Sequence, residues 1–466
     1  MKTPSRLALI SAWDKTGITE QAALLVNLGW TLISTGGTAR NLTDAGLEVI
    51  EITDLTGEPE RFDGRVKTLH PAIHASILAR RGESSDMDEL TRSSWVPIDL
   101  VHVDLYPFNH HSEQVPLTEA VELIDIGGVA LLRAAAKNHI DVLVSCNLST
   151  LSSIVAELSE TDGDSTRIDV QRRMELAALA FTTTTAHDAA ITDRLWRELD
   201  LEPQDRPMLF VTEPTEPLRY GENPDQGASR HSILSPPSLS DGFTSLMEQH
   251  SGGPLSYNNL LDLEAAVGLA RGISSHAESL VGCVIIKHNN PCGVALAATA
   301  EEAWLNALAS DEESAFGCVV AFTSSIDIAT SECISDHFLE VIIAPSIEES
   351  ALQHLSRKER RRILTLNDSM GKGLASSIEF RSIEGSLLFQ QPSKLHEIDE
   401  FRLVGKIEFP TMDDVSISLG MSVTKWTSSN CIILTDGYST IGIGPGQTSR
   451  VEAARIAIRR AGDKTK

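Results

Sequence analysis

The first 200 residues alternate short apolar segments with amphipathic ones, and this alternation constrains the fold more than any other feature of the chain. Residues 7–11, 30–34 and 49–52 are typical of strands, whereas residues 21–28 carry an apolar stripe at helical spacing. Further strand candidates and a long helix follow at residues 100–105, 142–144 and 171–199. Alternating strands and helices form parallel βαβ units with right-handed crossovers. We therefore predict an α/β domain with a parallel sheet over residues 1–200.

A second α/β domain is predicted over residues 201–466. Residues 202–217 contain four prolines among acidic and polar neighbours and are interpreted as a linker. The later strand candidates are residues 280–286, 318–322, 341–344 and 431–434, and the helix candidates are 262–271, 300–309 and 451–460. This pattern indicates strands near 281 and 318 in one lobe and near 432 in another. The basic run 357–362 is interpreted as the solvated end of a helix.

The charge balance limits the possible partners. Lys and Arg total 39 against 65 Asp and Glu, which gives a net charge of −26. Such a surface repels nucleic-acid backbones and anionic lipids, but local cations and helix N-termini can still hold a small phosphate. Six cysteines without a CxxC pair indicate free thiols. No apolar run approaches the length of a membrane span, and no signal peptide is visible. We expect a cytoplasmic enzyme that binds neither nucleic acid nor membrane.

Two motifs of the first domain are suited to an oxyanion. Residues 34–38 (Ser-Thr-Gly-Gly-Thr) lie where a strand leads into a helix, which suits a phosphate or is a plain capped turn. Residues 64–71 combine two cations, a hydroxyl and an imidazole, which suits a phosphate or is a solvated loop. His70 and His74 have metal-ligand spacing, but Pro71 lies between them and argues against zinc.

A third motif combines an acid and a cation. Asp125 precedes a Gly-Gly turn, and a helix rich in small residues then ends at Lys137. The two groups are suited to proton transfer across a pocket. The alternative is that Asp125 caps the helix and Lys137 faces its dipole.

The second domain carries three polar motifs, at residues 218–224, 255–260 and 287–293. Lys287 and His288 follow a buried strand, where ligand crevices are common. An adjacent cation favours the neutral imidazole that a general base requires. Cys292 lacks the partners of a zinc deaminase and is interpreted as a packed thiol. Residues 442–450 are rich in glycine but lack the context of a dinucleotide site.

Taken in order, these motifs resemble the bifunctional phosphoribosylaminoimidazolecarboxamide (AICAR) formyltransferase/inosine monophosphate (IMP) cyclohydrolase family of de novo purine biosynthesis. The resemblance runs nearly end to end. Its motifs are residues 14–17, 34–38, 64–71, 105–108, 125–128, 133–139, 218–224, 255–260, 287–293, 314–317 and 442–450.

By this resemblance, residues 1–200 form a methylglyoxal-synthase-like domain that closes the purine ring. The carboxamide nitrogen of formyl-AICAR attacks the formyl carbon, water departs, and IMP forms. The implied nucleotide contacts are Ser11, Lys15, Ser34, Thr35, Gly36, Thr38, Arg65 and Thr68, and the positions that match catalytic groups are Lys67, Tyr106, Asp125 and Lys137. Our hypothesis is that Lys67 and Tyr106 stabilise the developing oxyanion, while Asp125 and Lys137 manage the protons.

The resemblance also implies that residues 201–466 form a formyltransferase domain of two cytidine-deaminase-like lobes, without zinc or any other metal. Here the amine of AICAR takes a formyl group from 10-formyltetrahydrofolate, the expected co-substrate. His288 matches the general base and Lys287 its electrostatic partner. The positions that match AICAR or folate contacts are Arg219, Tyr220, Asn259, Phe316, Gly317 and Asn430. A homodimer is implied, because in the family this site lies at a dimer interface.

Four positions depart from the family pattern. Trp13 replaces a small hydroxyl residue, Asp104 an asparagine, Asp225 a histidine and Cys318 a glycine. A carboxylate near a phosphate repels it unless it is neutralised. The chain also stops at Lys466, before segments with which the family continues. We therefore expect an incomplete second lobe and weakened transferase contacts.

Two alternatives remain at this point. The chain could be a cyclohydrolase whose transferase half is inactive or is completed by another polypeptide. It could also be a nucleotide-binding regulatory module, since methylglyoxal-synthase-like domains serve as effector sensors elsewhere. Turnover of formyl-AICAR separates the second alternative from an enzyme, and the four candidate catalytic groups argue against a sensor.

Overall fold

The computed structural model describes residues 6–62, 64–108, 112, 115–199, 201, 205–235, 243–275, 279–366, 379–393 and 414–465. The chain divides into two compact units, one of residues 1–212 with 233–237 and one of residues 213–232 with 238–466. Among the described residues, no helix combines the length and the apolarity that a membrane crossing requires.

The first unit contains a five-stranded sheet in which every pairing is parallel. Its strands are β1 (Leu7–Ala12), β2 (Thr31–Ser34), β3 (Val49–Glu51), β4 (Leu100–Asp104) and β5 (Leu143–Ser145). Their order across the sheet is β3-β2-β1-β4-β5. Consecutive residues Leu7, Ala8, Leu9 and Ile10 of β1 are all buried. Because successive strand residues face opposite sides, both faces of the sheet are covered, as in other parallel α/β sheets.

The helices of the first unit follow the strands in the predicted alternation. They are α1 (Ile18–Asn27), α2 (Gly36–Asp44), α3 (Ile52–Thr56), α4 (Pro71–Leu78), α5 (Ser84–Arg92), α6 (Leu117–Ala120), α7 (Gly127–Lys137), α8 (Leu148–Glu160) and α9 (Val170–Arg197). Short 3₁₀ turns lie at Val121–Leu123 and Ser165–Arg167. The aligned carboxyl ends of β1, β2 and β4 thus open onto the loops that carry the predicted motifs.

The second unit is built on an eight-stranded mixed sheet. The hairpin strands that precede it are β6 (Val211–Leu218) and β7 (Ala228–Ser235). The remaining strands are β8 (Met247–Ser251), β9 (Val281–Lys287), β10 (Asn290–Ala297), β11 (Cys318–Phe322), β12 (Leu339–Ala344), β13 (Arg362–Leu366), β14 (Glu379–Ile383), β15 (Ser386–Gln390), β16 (Ile432–Asp436) and β17 (Ser439–Gly444). The sheet order is β16-β17-β10-β9-β11-β12-β13-β8, while β14 pairs with β15 alone.

Helices of the second unit pack on this sheet around two apolar clusters. They are α10 (Phe243–Leu246), α11 (Tyr257–Ser274), α12 (Ala300–Leu308), α13 (Ile328–Ser335), α14 (Glu349–Leu355), α15 (Asp414–Lys425) and α16 (Arg450–Ala461), with a 3₁₀ turn at Gly462–Thr465. The predicted strand at 318–322 has the observed bounds, and the helix predicted at 262–271 begins five residues earlier, at Tyr257.

Two expectations about the second half need correction. The strands near 281, 318 and 432, which were expected in two lobes, belong to one sheet, because β17 pairs with β10 and joins β16 to it. The expected linker also ends in a strand, since β6 occupies Val211–Leu218. Proline can enter β6 because, among the described residues, this strand pairs with β7 alone, so one edge of β6 has no partner strand there.

The basic run 357–362 is not wholly a solvated helix end. Arg361 is 2% exposed and donates hydrogen bonds to the carbonyls of Ser335 (3.2 Å) and His337 (2.8 Å). These carbonyls lie at and just beyond the end of α13, where a cation is favoured by the helix dipole. Lys358 also donates to the Ser335 carbonyl. Hydrogen bonds from this run therefore connect the end of α13 to the segment that leads into β13.

The glycine-rich segment before α16 is explained by close packing of helix on strand. A Cβ added to Gly444 would collide with the carbonyl oxygen of Ala453, and one added to Gly442 would collide with that of Ala457. Both carbonyls belong to α16. The glycines thus let the helix backbone approach β17, which is their structural role here.

We predict that Gly444→Ala lowers the free energy of unfolding of the second unit by about 1–3 kcal/mol, because the new methyl group forces α16 away from β17. Gly420→Ala in α15 is the matched control, since its Cβ would lie 3.7 Å from the Thr435 methyl group, an ordinary contact. The control should be neutral or stabilising by up to about 1 kcal/mol, because alanine favours helix. Urea unfolding of both variants measures the difference, and equal midpoints would contradict the packing argument.

Candidate active sites

A cavity of about 950 Å³ lies at the carboxyl edge of the first sheet. Three of its walls come from the segments that follow β1, β2 and β4, because the ends of parallel strands meet at one edge. The loop before α4 and the segment before α7 complete the lining. The predicted site residues that line the cavity are Ser11, Lys15, Thr35, Gly36, Thr38, Arg65, Lys67, Thr68, Tyr106 and Asp125. The sequence motifs therefore converge on one concave site.

One corner of this cavity is built to receive an anion. The Thr35 side chain makes no capping hydrogen bond to α2, and Gly36, Gly37 and Thr38 of its first turn line the cavity. Gly36 has a positive φ of 54°, and a Cβ there would lie 2.6 Å from Lys67 Nζ. Lys15 lies beside Gly37, with its Cε 3.4 Å from the corresponding Cβ position. Two ammonium groups and a helix N-terminus thus meet over glycines, a combination suited to a phosphate.

Two of the cations at the cavity, Lys67 and Arg65, are paired with glutamates. Lys67 Nζ lies 3.0 Å from Glu60 Oε2. The Arg65 guanidinium contacts both carboxylate oxygens of Glu122, with Nε donating to Oε2 at 3.1 Å and Nη2 donating to Oε1. The hydrogen bond to Glu122 raises the pKa of Arg65. An incoming anion therefore competes with Glu60 and Glu122 for these two side chains.

The two departures from the family pattern near β1 are in contact with site residues. The Trp13 ring packs edge-on against Tyr106, with the ring centroids 4.0 Å apart. Asp104 Oδ2 accepts a hydrogen bond from the Asp14 N–H at 2.9 Å. Burial raises the pKa of Asp104, and nearby Asp14 raises it further, although the hydrogen bond lowers it. Asp104 therefore places a carboxylate beside the cavity, and its hydrogen bond from the Asp14 N–H partly satisfies that carboxylate.

Three predicted contacts have other structural partners. The Ser34 hydroxyl is buried and donates to the Ile10 carbonyl (2.7 Å), so Ser34 does not line the cavity. The Thr38 hydroxyl, although it lines the cavity, donates to the Ala12 carbonyl at 3.0 Å and accepts from the Ala12 N–H at 3.1 Å. The Ser34 hydroxyl therefore connects β2 to β1, and the Thr38 hydroxyl connects α2 to β1. Asp125 Oδ1 accepts from the Gly128 N–H at 2.7 Å and so also caps α7.

Lys137 is not in the same cavity as Asp125. It lines a second cavity of about 820 Å³ together with Arg133, His74, Met174 and Phe181, among others. Asp125 precedes α7 and Lys137 ends it, and 11 helical residues rise roughly 15 Å. The expectation that acid and cation meet across one pocket therefore fails within a single chain, because the helix separates them along its axis.

No metal centre emerges from the residues that the structure describes, since none of their His, Cys, Asp and Glu side chains form a group of three or more suited to a metal ion. His70 instead begins α4, where its Nδ1 accepts the Ala72 N–H at 3.1 Å. This capping role accounts for the imidazole without zinc.

The second candidate site lies where β9 ends and β11 begins. Lys287 and His288 stand at the end of β9, which runs antiparallel to β11, so Phe316 and Gly317 lie beside them. Lys287 Nζ donates to the Phe316 carbonyl. Phe316 is 67% exposed and packs against Phe338, with the ring centroids 4.9 Å apart. The site thus combines a cation, an imidazole and an exposed aromatic surface.

The other predicted residues of this site join it through hydrogen bonds. Asn259 caps α11 together with Ser256, and its Nδ2 donates to Glu340 Oε2 at 3.0 Å. Asn430 Nδ2 donates to the Gln447 carbonyl at 3.0 Å. Asn290 Oδ1, in β10, accepts from the Ser428 N–H at 3.0 Å, which brings the segment before Asn430 to the same sheet edge.

Arg219 and Tyr220 follow β6. The Arg219 guanidinium lies over the Tyr220 ring, 5.6 Å from its centroid. In the same loop, the Glu222 carbonyl accepts a hydrogen bond from Asn258 Nδ2 at 3.3 Å, next to Asn259. This bond connects the loop to the N-terminus of α11.

Cys292 and Cys318 are buried thiols. Burial raises the pKa of each to about 12. Neither thiol has the lowered pKa that a nucleophilic cysteine requires, so the interpretation of Cys292 as a packed thiol agrees with its surroundings.

Sequence reasoning missed four carboxylates of the two sites: Glu60, Glu122, Asp262 and Glu340. Asp262 would have been detectable only if the predicted helix of residues 262–271 had been extended back to Asn259, since residues three apart on a helix share a face. The other three had no local signal, because their partners are distant in sequence or lie in irregular loops.

Comparison with known proteins gives a match over both halves of the chain. Residues 17–130 match the MGS-like domain, and residues 135–460 match the AICARFT/IMPCHase bienzyme family. The first match confirms the predicted methylglyoxal-synthase-like domain. The second spans most of the remaining chain.

Several relatives called bifunctional purine biosynthesis protein PurH align with nearly the whole chain. The protein of Acetivibrio thermocellus is 40% identical over 463 residues, covering 98% of this chain and 88% of the relative. Those of Persephonella marina and Bacillus subtilis are each 39% identical, covering 98% of this chain and 86% and 87% of the relatives. The chain therefore belongs to the AICARFT/IMPCHase bienzyme family and is a bifunctional enzyme of purine biosynthesis, with formyltransferase and cyclohydrolase activities.

Proposed function

We propose that the two sites divide the two reactions: the cavity of the first sheet closes the purine ring, and the His288 edge transfers the formyl group. The observation that carries the first assignment is the convergence of the predicted nucleotide-binding and catalytic residues, apart from Ser34 and Lys137, on one 950 Å³ cavity. Matches over both halves of the chain favour two activities over a cyclohydrolase alone.

In the ring-closure site, the phosphate of formyl-AICAR binds at the N-terminus of α2, beside Lys15 and Gly36–Gly37. The carboxamide nitrogen then attacks the formyl carbon, and Asp125 takes a proton from that nitrogen. Tyr106 donates a hydrogen bond to the oxygen that becomes negative. This oxygen receives the proton that Asp125 took and a second proton from the formamide nitrogen, and it leaves as water while the carbon–nitrogen double bond of the ring forms.

Lys67 has two possible roles in this site. Its ammonium lies over Gly36, at the phosphate corner, so an oxyanion role requires it to leave Glu60 and Gly36 when the nucleotide binds. A phosphate role requires no such movement. The hypothesis remains that Lys67 stabilises the oxyanion. A loss of kcat in Lys67→Ala supports this role, whereas a rise in KM alone supports the phosphate role.

In the transferase site, the amine of AICAR attacks the formyl carbon of 10-formyltetrahydrofolate. His288 takes a proton from the amine, and Lys287 stabilises the negative formyl oxygen of the tetrahedral intermediate. The protonated His288 then gives this proton to N10 as the bond from carbon to N10 breaks, which releases tetrahydrofolate. The exposed Phe316 and Phe338 rings offer an apolar surface to a planar substrate group. Arg219, Tyr220, Asn259, Gly317 and Asn430 are the proposed substrate contacts of this site.

We also propose a homodimer in which Lys137 serves the partner's ring-closure site. Within one chain Lys137 lies away from Asp125, in a second cavity whose rim includes the exposed Met174 (56%) and Phe181 (36%). Exposed apolar residues around a cavity are typical of protein interfaces. A second copy that covers this surface brings Lys137 close to the ring-closure site of the partner chain.

A cytoplasmic location stays a prediction.

The first prediction concerns the division of labour. With AICAR and 10-formyltetrahydrofolate, the chain should release tetrahydrofolate and form IMP, and with formyl-AICAR alone it should form IMP. His288→Ala should lower transferase kcat by about 10²–10⁴-fold and spare ring closure. Lys67→Ala should lower ring-closure kcat by about 10²–10³-fold and spare the transferase.

Several outcomes would count against this assignment. A rise in KM alone for Lys67→Ala would assign Lys67 to the phosphate. Nucleotide binding without turnover in either assay would favour the regulatory module. Ring closure without tetrahydrofolate release would favour the cyclohydrolase-only alternative.

The second prediction tests the dimer. Asp125→Asn and Lys137→Ala chains should each lack ring closure, but co-expressed chains should regain about a quarter of wild-type activity. Half of randomly formed dimers are mixed, and one of the two sites in each mixed dimer has both groups intact. If Lys137 acted in its own chain, mixing would restore nothing. A monomer in light scattering would also exclude the proposal.

The third prediction concerns the competing glutamates. Glu122→Gln should lower KM for formyl-AICAR by about two- to five-fold, because it releases Arg65 from an exposed ion pair of modest strength. Glu119→Gln is the control, since Glu119 is also exposed but does not line the cavity. Steady-state kinetics at low salt gives the comparison, and an unchanged KM would show that the Arg65–Glu122 pair does not compete with substrate.

A further inference from the structure

The turn that carries His288 has an unusual backbone. Only His288 and Asn289 separate β9 from β10, and their φ angles are 51° and 61°. Positive φ at both central residues is the geometry of a tight hairpin turn that prefers asparagine and glycine. A histidine in this conformation is disfavoured and persists only where its surroundings hold it.

A buried carboxylate contacts this turn. Asp262 lies on α11, is 9% exposed, and its Oδ1 accepts a hydrogen bond from the Asn289 N–H at 2.6 Å. The His288 backbone and imidazole and the Glu340 carboxylate also interact with Asp262. Burial raises the pKa of Asp262, while the hydrogen bond from Asn289 lowers it. The hydrogen bond therefore compensates in part for burying a carboxylate here.

The same face of α11 also contacts β12. Asn259 lies one turn earlier and donates to Glu340, near the start of β12. Residues three apart on a helix share a face, so Asn259 and Asp262 lie on the same face of α11. Asp262 holds the turn after β9, while Asn259 reaches β12.

We propose that Asp262 is a positioning residue for formyl transfer, which fixes the His288–Asn289 turn and thereby aims the His288 imidazole at the amine of AICAR. This inference rests on the proposed role of His288. Without the carboxylate, the Asn289 N–H loses its acceptor and the turn relaxes towards ordinary φ values. The imidazole then leaves the hydrogen-bonding distance that proton transfer requires, although substrate can still bind.

The experiment compares Asp262→Ala with Asp262→Asn in the full-length chain. The alanine variant removes the acceptor and should lower transferase kcat by about 10- to 100-fold, with KM for AICAR nearly unchanged. The asparagine variant keeps an acceptor oxygen of the same shape, so its kcat should stay within about three-fold of wild type. Ring closure of formyl-AICAR, measured on the same preparations, should be unaffected in both variants.

Two further variants complete the test. Glu264→Ala removes an exposed carboxylate from the same helix and should leave both activities unchanged. Wild-type kcat in Asp262→Ala overturns the proposal, as does an equal loss in Asp262→Asn or a parallel loss of ring closure. Full transferase activity in His288→Ala overturns the proposed function itself, whereas an inactive His288→Ala beside an active Asp262→Ala overturns only the role of Asp262.

Discussion

The parallel pairing of β1 with β2 and β4 is the constraint on which the ring-closure site depends. Ala12 lies opposite Asp104, so β1 and β4 end level with each other, and β2 ends two residues earlier, where Ser34 lies opposite Ile10. The loops that follow therefore face a common cavity. The hydroxyls of Ser34 and Thr38 strengthen this alignment because they bond to the backbone of β1. A shift of one residue in either pairing would turn the site side chains away from the cavity.

Charge at this site is set locally and not by the chain as a whole. A protein with a net charge of −26 still gathers Lys15, Arg65 and Lys67 around one cavity. Because salt screens distant surface charges within about 10 Å, nearby cations and helix amides dominate the potential that a bound phosphate meets. Glu60 and Glu122 pair with two of these cations, and burial raises the pKa of Asp104. The site thus balances attraction for an anion against local competition.

The second site is organised on a different principle. Its sheet is mixed, and the chemistry lies at a tight antiparallel turn and not at aligned parallel ends. Such a turn presents Lys287 and His288 on a very short loop, but it requires a backbone that histidine does not favour. Asp262 supports this backbone from α11. The first site is therefore held by strand register, whereas the second depends on a buried polar contact.

The sequence by itself determined several strands and helices of both units and the motifs at their ends, because periodicity and turn residues are local signals. It predicted the strand at residues 318–322 and the helix that begins at Gly36. Only the tertiary structure decided which side chains meet. Arg65 and Glu122 are 57 residues apart, and Asp262 lies 27 residues from Asn289. Conversely, α7 separates Asp125 from Lys137, although they are close in sequence. Long-range contacts depend on how whole elements pack, and no local pattern of residues encodes that packing.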